Sequence, residues 1–392
     1  MGVLRRVPPA ALLLAAAFIG LAVWSWSISR GLGVDSVVYR AGALTVLKGD
    51  PLYAPLTTED SWAPALPFAY PPVAALLFLP LVVVPSQLGW GALAVLSTLA
   101  LAFVLRGSLP ESLRTGWKFG GLLVATVVLE PVWRSLGLGQ VNLILMAMVF
   151  ADVLFLRGSR WSGLLIGAAS AIKLTPLIFV GHLVLTRRWA DAGRAVAAFA
   201  GLNVLAALVL PRDTAEFWAV GLIDGNDATT NSWIGNQSLN GIFQRLTGEG
   251  HAALALFAIT ALLALVVGAL VVRARHREDD DLGALLVSAF AGLLVSPVSW
   301  THHWVWVVPL AGYLLARRRW WEVALLVVVF TGWQFPLVPS GSKNELRWTG
   351  LDALLGNAYI VAALVAAPVV VILALRGRVR RAGVDVETAT RS

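Results

Sequence analysis

Hydrophobic residues in this chain gather into long uninterrupted runs, and the runs recur from one end to the other. They fall near 8–29, 73–84, 88–105, 119–135, 141–156, 161–172, 174–186, 192–210, 252–272, 282–299, 303–316, 321–336 and 357–375. Such runs predict helices with apolar surroundings, and a helix crossing a bilayer needs about 17 to 25 residues of this kind. Residues 73–84 fall short and are bracketed by Pro71, Pro72 and Pro85. They are expected to form a re-entrant or interfacial segment. The other twelve runs are expected to span, several of them barely. The predicted fold is an all-α polytopic membrane protein, a single integral membrane domain over 1–392 with about 12 transmembrane helices.

Composition agrees with that reading. Hydrophobic residues make up 58% of the chain and charged residues 13%. Soluble domains carry roughly 25% charged residues, and half that fraction cannot coat a globular surface of this size. The net charge of +8 points to topology rather than to nucleic acid, because the arginines cluster in short connectors, the positive-inside pattern. With Arg5 and Arg6 inside, the connectors at 106–118, 157–160, 187–194, 273–281 and 317–320 fall inside, as does the basic tail 376–392. The exterior face receives 30–72, 136–140, 211–251, 300–302 and 337–356, so two long loops lie outside. An alternative threading makes 73–84 a true span and fuses 161–186 into one helix. It would place Arg106, Arg114, Lys118, Arg157 and Arg160 outside and Lys173 mid-membrane, at a cost. The first run follows Arg5 and Arg6 as a signal peptide would, but it is long and lacks a small-residue cleavage site, so an uncleaved helix is expected. There is no cysteine, which excludes disulfides, thiolate nucleophiles and zinc–thiolate sites.

The unusual polar residues lie on the predicted exterior face. Asp35 and Tyr39 lie in the first loop, and "PFAYPP" (67–72), with Tyr70, closes it. "GLGQVN" (137–142) and "IKLTP" (172–176) cap helix pairs. "NSWIGNQSLNG" (231–241) lies in the second long loop, and "SPVSWTHHW" (296–304) caps a further pair. Polar clusters gathered on one face of an apolar bundle suggest a composite site at the membrane surface.

These segments carry a resemblance. "VDSVVYRAGALTVLKGDPLYAP", "LPFAYPPVAALLFLPLVVVP", "GQVN", "KLTP", "GNQSL" and "SWTHHW", in that order between about 30 and 310, resemble the actinobacterial polyprenyl-phosphomannose-dependent α-mannosyltransferases of glycosyltransferase family 87. The resemblance implies a GT-C fold with a catalytic carboxylate in the first exterior loop. It implies transfer of mannose from polyprenyl-phosphate-mannose to a glycolipid or lipoglycan acceptor, in the α-1,2 manner of phosphatidylinositol mannoside and lipomannan synthesis, at the outer face of the cell membrane. No single motif is specific alone; order and spacing carry the likeness.

The chemistry so implied converts a β-linked polyprenyl phosphate into an α-glycoside. One displacement inverts the anomeric centre, so one general base suffices. The phosphate leaves as an anion and needs cations or hydrogen-bond donors rather than a second carboxylic acid. Asp35 is the candidate base on the resemblance; read alone, it is more commonly a loop aspartate capping the helix that begins near Ser36. Lys173, His302 and His303 are candidates for the donor phosphate, against snorkelling for the lysine and an aromatic belt for the histidines beside Trp300 and Trp304. Tyr39, Tyr70, Gln140, Asn142, Asn236 and Gln237 are candidate substrate ligands. Tyr39 is also explained as an interfacial anchor and the amides as loop or helix-end chemistry. Glu130 and Arg134 read as an i, i+4 ion pair. Arg212 and Asp213 lie just outside a helix, facing phosphate or solvent. Glu59 and Asp60 read as solvated, as does the inside run "REDDD" at 277–281. Two adjacent histidines are not metal-ligand spacing on a helix, and no metal or cofactor is expected.

Two other functions fit less closely. A relative using polyprenyl-phosphoarabinose and transferring arabinofuranose would need the same base and phosphate site; the short C-terminus without an appended domain tips toward mannose. A lipid-linked sugar transporter or flippase would place charges at mid-depth along a path, whereas here they gather at one face.

Overall fold

The structure is a computed structural model, described over residues 7–56, 62–64, 66–221 and 231–389, with 220–221 and those from 375 onward as backbone only. Arg5, Arg6, Glu59 and Asp60 lie outside the described residues. The helices in chain order are α1 (Pro9–Ser27), α2 (Val34–Lys48), α3 (Pro72–Leu77), α4 (Ser86–Ser108), α5 (Gly116–Ala125) and α6 (Glu130–Leu138). They continue with α7 (Asn142–Leu154), α8 (Leu164–Ile172), α9 (Ile178–Leu185), α10 (Trp189–Val209), α11 (Pro211–Glu216) and α12 (Leu239–Thr247). The chain ends with α13 (His251–Arg277), α14 (Asp281–Val295), α15 (Val307–Ala316), α16 (Trp320–Phe330), α17 (Gly350–Gly356) and α18 (Ala358–Ala389). Among the described residues there is no β-strand; Asn236 and Trp300 make an isolated antiparallel bridge.

This is a polytopic helical membrane protein. Among the described residues α1, α4, α10 and α13 are long and apolar enough to cross a bilayer alone. Two bent pairs raise the number of candidate spans to six: Gly116–Val128 with Glu130–Leu138, bent by 77°, and Gly350–Gly356 with Ala358–Ala374, bent by 82°. The sequence runs number more than this because several of them form shorter apolar helices, Asn142–Leu154, Thr175–Leu185, Asp281–Val295 and Trp320–Phe330, and hydropathy does not register breaks. The run 119–135 is interrupted at Leu129, whose extended backbone (φ −73°, ψ 125°) precedes a new helix with proline in its first turn. Residues 73–84 form the six-residue α3 and a 3-10 turn, Leu79–Val83.

The chain divides into two compact units. The first holds residues 1–180, 190–226 and 305–331. In it α4 packs against α1, α7 and α15. Small residues allow the close crossings: Gly91 of α4 faces Ala22 of α1, and Gly312 of α15 faces Ser108 of α4. Asp152, fully buried near the end of α7, accepts hydrogen bonds from the Gly163 and Ile166 amides at 2.6 and 3.0 Å. It therefore caps α8 from another helix, satisfying amides that have no partner inside their own helix.

The second unit holds residues 181–189, 227–304 and 332–392. Its α13 and α14 pack together across the "REDDD" turn. There Asp279 adopts φ 56°, Asp280 accepts the Gly283 amide at 3.1 Å, and Asp281 meets His276 at 2.9 Å. The acidic run is thus spent on closing a helix–helix turn. Arg245, buried on α12, is the keystone of the second unit: it donates to the carbonyls of Trp233 (3.0 Å) and Asn236 (2.9 Å) and to the Asn357 side chain (2.6 and 2.9 Å).

Candidate active site

The first unit brings six of the sequence candidates into one polar cluster: Asp35, Tyr39, Tyr70, Gln140, Asn142 and Lys173. Its geometry begins with two glycines. Gly33, the residue before α2, has φ 74°. Gly139, at the end of α6, has φ 71°, and its neighbour Gln140 donates its amide to Ser135 O at 2.8 Å, closing a Schellman-type end. Both lie against the Trp90 ring and Ser36, so a side chain at either would collide with them. Trp90 is itself fixed by its indole N–H donating to Leu136 O at 2.8 Å. The first turn of α2 and the last turn of α6 are thereby held together, which sets Asp35 beside Gln140.

The polar contacts follow. Gln140 Nε2 donates to Asp35 Oδ2 at 2.6 Å and to the Tyr70 hydroxyl at 3.3 Å. Tyr39 donates its hydroxyl to Gln140 Oε1 at 2.7 Å. Tyr39 is fully buried, stacked on Phe78 at 4.3 Å and edge-on to Tyr70. Lys173, at the break after α8, donates to Asn142 Oδ1 at 3.1 Å and lies 5.6 Å from the centre of the Tyr70 ring. Asp35 itself is half-buried, and its Oδ1 makes no hydrogen bond to the described residues. Burial pushes its carboxyl above the ordinary carboxylate range; the Gln140 hydrogen bond and the charges of Lys173 and Arg134 act in the opposite direction. A carboxylate with one oxygen clamped, the other open, and a cation within electrostatic reach can take a proton from a hydroxyl while an anion forms nearby.

The remaining candidates have other surroundings. Glu130 is buried and meets Arg134 at 3.4 Å, a pair within one helix. Asp213 accepts the Leu52 amide at 2.8 Å, tying the loop after α2 to α11, and Arg212 beside it is exposed. Asn236, Gln237, His302 and His303 belong to the second unit. Asn236 donates to the carbonyls of Asn231 and Pro297 and accepts the Ser299 amide. Gln237 donates to the carbonyls of Ile234 and Gly356 and accepts the Tyr359 amide. Both amides bond backbone groups and so support the loops around them. His302 is buried and His303 half-buried on the 3-10 turn Thr301–Trp306, their rings edge-on at 4.8 Å. Among the described residues no three His, Asp or Glu side chains converge as a metal site would require.

Sequence reading missed Gly33, Trp90 and Gly139. A signal for two of them was present: the tripeptide Gly-Leu-Gly occurs at 31–33 and again at 137–139, each time directly before a site segment.

In a helical membrane bundle, a half-buried aspartate, an amide clamp and a half-buried lysine are parts suited to group transfer at a membrane. Comparison with known proteins makes that specific. The model of glycosyltransferase family 87 matches residues 68–297, and the chain belongs to that family. A polyprenol-phosphate-mannose-dependent alpha-(1-2)-phosphatidylinositol mannoside mannosyltransferase of Mycobacterium tuberculosis is 32% identical over 87% of this chain and 82% of its own length. A polyprenol-phosphate-mannose-dependent alpha-(1-2)-phosphatidylinositol pentamannoside mannosyltransferase of the same species is 34% identical over 92% of this chain and 86% of its own. The corresponding pentamannoside enzyme of Mycolicibacterium smegmatis is 31% identical over 92% and 90%. No solved structure matches the chain. The protein is therefore an enzyme, a membrane glycosyltransferase.

Proposed function

We propose that this enzyme transfers mannose from polyprenyl-phosphate-mannose to a phosphatidylinositol mannoside, forming an α-(1→2) linkage with inversion. The relatives named for that reaction cover most of the chain. The observation that carries the chemistry is Asp35, with Oδ2 held by Gln140 and Oδ1 open, in the field of Lys173.

In the proposed step the acceptor hydroxyl gives its proton to Asp35 Oδ1 as its oxygen attacks the anomeric carbon. The bond from that carbon to the phosphate oxygen breaks, and the electron pair leaves with polyprenyl phosphate. Lys173, anchored by Asn142, offsets the charge on the departing phosphate. Donor and acceptor are both lipid-linked, so the reacting groups meet at the bilayer surface while their tails stay in it. The concentration of arginines in the connectors at 106–118, 187–194, 273–281 and 317–320 supports cytoplasmic termini and a site on the exterior face.

The test offers radiolabelled polyprenyl-phosphomannose and polyprenyl-phosphoarabinose separately to membranes containing the enzyme and phosphatidylinositol mannosides. Mannose incorporation, with the new linkage cleaved by an α-1,2-mannosidase, supports the proposal. Arabinose incorporation, or a mannose linkage resistant to that mannosidase, overturns it.

A further inference from the structure

We infer that Gln140 is a positioning residue for the general base: with Tyr39 it forms a two-link clamp that fixes the Asp35 carboxylate with Oδ1 open to the acceptor. The inference rests on Asp35 acting as the base and assigns Gln140 and Tyr39 to that carboxylate instead of to the sugar.

A glutamine side chain has two N–H donors and one carbonyl. Here both donors are used, on Asp35 Oδ2 at 2.6 Å and on the Tyr70 hydroxyl at 3.3 Å, and the carbonyl accepts from Tyr39 at 2.7 Å. Little capacity remains for a substrate hydroxyl. The Tyr39 hydroxyl also sets the orientation of the amide. It donates to Oε1, and turning the amide over would point a carbonyl at the carboxylate and two N–H donors at a hydroxyl placed to donate. Tyr39 in turn cannot swing away, because its ring is fully buried and stacked on Phe78. The chain of contacts runs Phe78, Tyr39, Gln140, Asp35, and ends on one carboxylate oxygen.

This arrangement has a consequence that a sugar ligand would not have. An N–H donated to a carboxylate favours its charged form. Burial acts the other way on Asp35, and the groups facing it are Lys173 and Arg134, which favour the charge, and the hydroxyls of Tyr39 and Tyr70. Removing the Gln140 donor leaves burial less opposed. Asp35 then stays protonated to higher pH, and a base is active only when deprotonated. The acid limb of activity therefore moves up.

The experiment measures kcat/KM for mannose transfer against pH for the wild type, Gln140→Leu and Tyr39→Phe, together with the donor KM. Gln140→Leu is expected to shift the acid limb upward by about one to two pH units, with activity recovering on the alkaline side. Tyr39→Phe keeps the ring and its stacking, and is expected to shift the limb the same way by less. The donor KM stays within a few-fold in both. If the acid limb stays in place in Tyr39→Phe and Gln140→Leu while the KM for donor or acceptor rises, Gln140 is a substrate ligand and the inference fails. Should Gln140→Leu not fold, Tyr39→Phe alone decides, by the same shift or its absence. Asp35→Asn is run alongside: full activity there defeats the base assignment itself, whereas an inactive Asp35→Asn beside unshifted clamp variants defeats only the clamp.

Discussion

Gly139→Ala places the smallest possible perturbation where the fold positions the chemistry. Two costs follow from the structure. Gly139 has φ 71°, and an alanine held in that left-handed conformation costs about 1 kcal/mol. Its Cβ would also lie 2.7 Å from Ser36 Cβ and 3.0 Å from the Trp90 ring, where carbon atoms settle at about 3.5 to 4.0 Å. Trp90 cannot yield freely, since Leu136 O holds its indole. The ends of α6 and α2 must part by about 1 Å. The 2.6 Å contact between Gln140 and Asp35 then stretches to about 3.6 Å, too long for a hydrogen bond. A displacement of that size at a reacting group costs on the order of 10²-fold in rate. Gly116 supplies the control: it has φ 66°, but a Cβ there meets nothing within 4 Å. Both alanine variants are assayed for thermal midpoint in detergent and for mannose transfer in membranes. Both are expected to lose similar backbone stability, and Gly139→Ala alone is expected to lose about 10- to 100-fold in kcat/KM. If the two variants retain the same activity, the glycine contact does not set the position of Asp35 and the reasoning is wrong.

Lys173→Met keeps the length and apolar stem of the side chain and removes its charge; transfer is expected to fall about 10²- to 10³-fold, and an unchanged rate would remove Lys173 from the phosphate's surroundings. Gln237→Ala leaves the Tyr359 amide and the carbonyls of Ile234 and Gly356 without their side-chain partner; it is expected to lower the thermal midpoint with donor KM unchanged, and a raised KM at normal stability would make Gln237 a ligand after all. The wild-type pH profile is expected to rise through an acid limb above about 3.9, the ordinary aspartate value, because burial raises the Asp35 carboxyl and only its deprotonated form accepts the acceptor's proton. A limb at or below the ordinary value would mean that burial does not outweigh the Gln140 hydrogen bond and the Lys173 and Arg134 charges.

Residue type and loop position single out Asp35, Tyr39, Tyr70, Gln140, Asn142 and Lys173 one at a time. Nothing local in the sequence says that they meet. Asp35 and Gln140 lie 105 positions apart, and what joins them is a collision surface made by two glycines, a serine and a tryptophan. Asn236 and Gln237 show the converse limit. Their chemistry suits a sugar and suits a carbonyl equally, and only the path of the chain around Pro297, Gly356 and Tyr359 tells which they hold. The helices show a third. Apolar composition locates helix-forming stretches well, because burial in lipid requires backbone amides to be satisfied within the segment. It does not locate breaks such as Leu129, where one extended residue turns an apparent span by 77°. "REDDD" reads in the sequence as a connector between helices, but the capping of α14 by Asp280 depends on Asp279 adopting φ 56°.

The most direct test of the account is Asp35→Asn, which keeps the shape of the side chain and removes its basicity. Transfer of radiolabelled mannose from polyprenyl-phosphomannose is measured in membranes holding equal amounts of folded wild type and variant. The account predicts a loss of about 10²- to 10⁴-fold with donor binding retained. Activity within a few-fold of wild type would mean that another group accepts the proton, and the site built around Asp35 would not be the catalytic one.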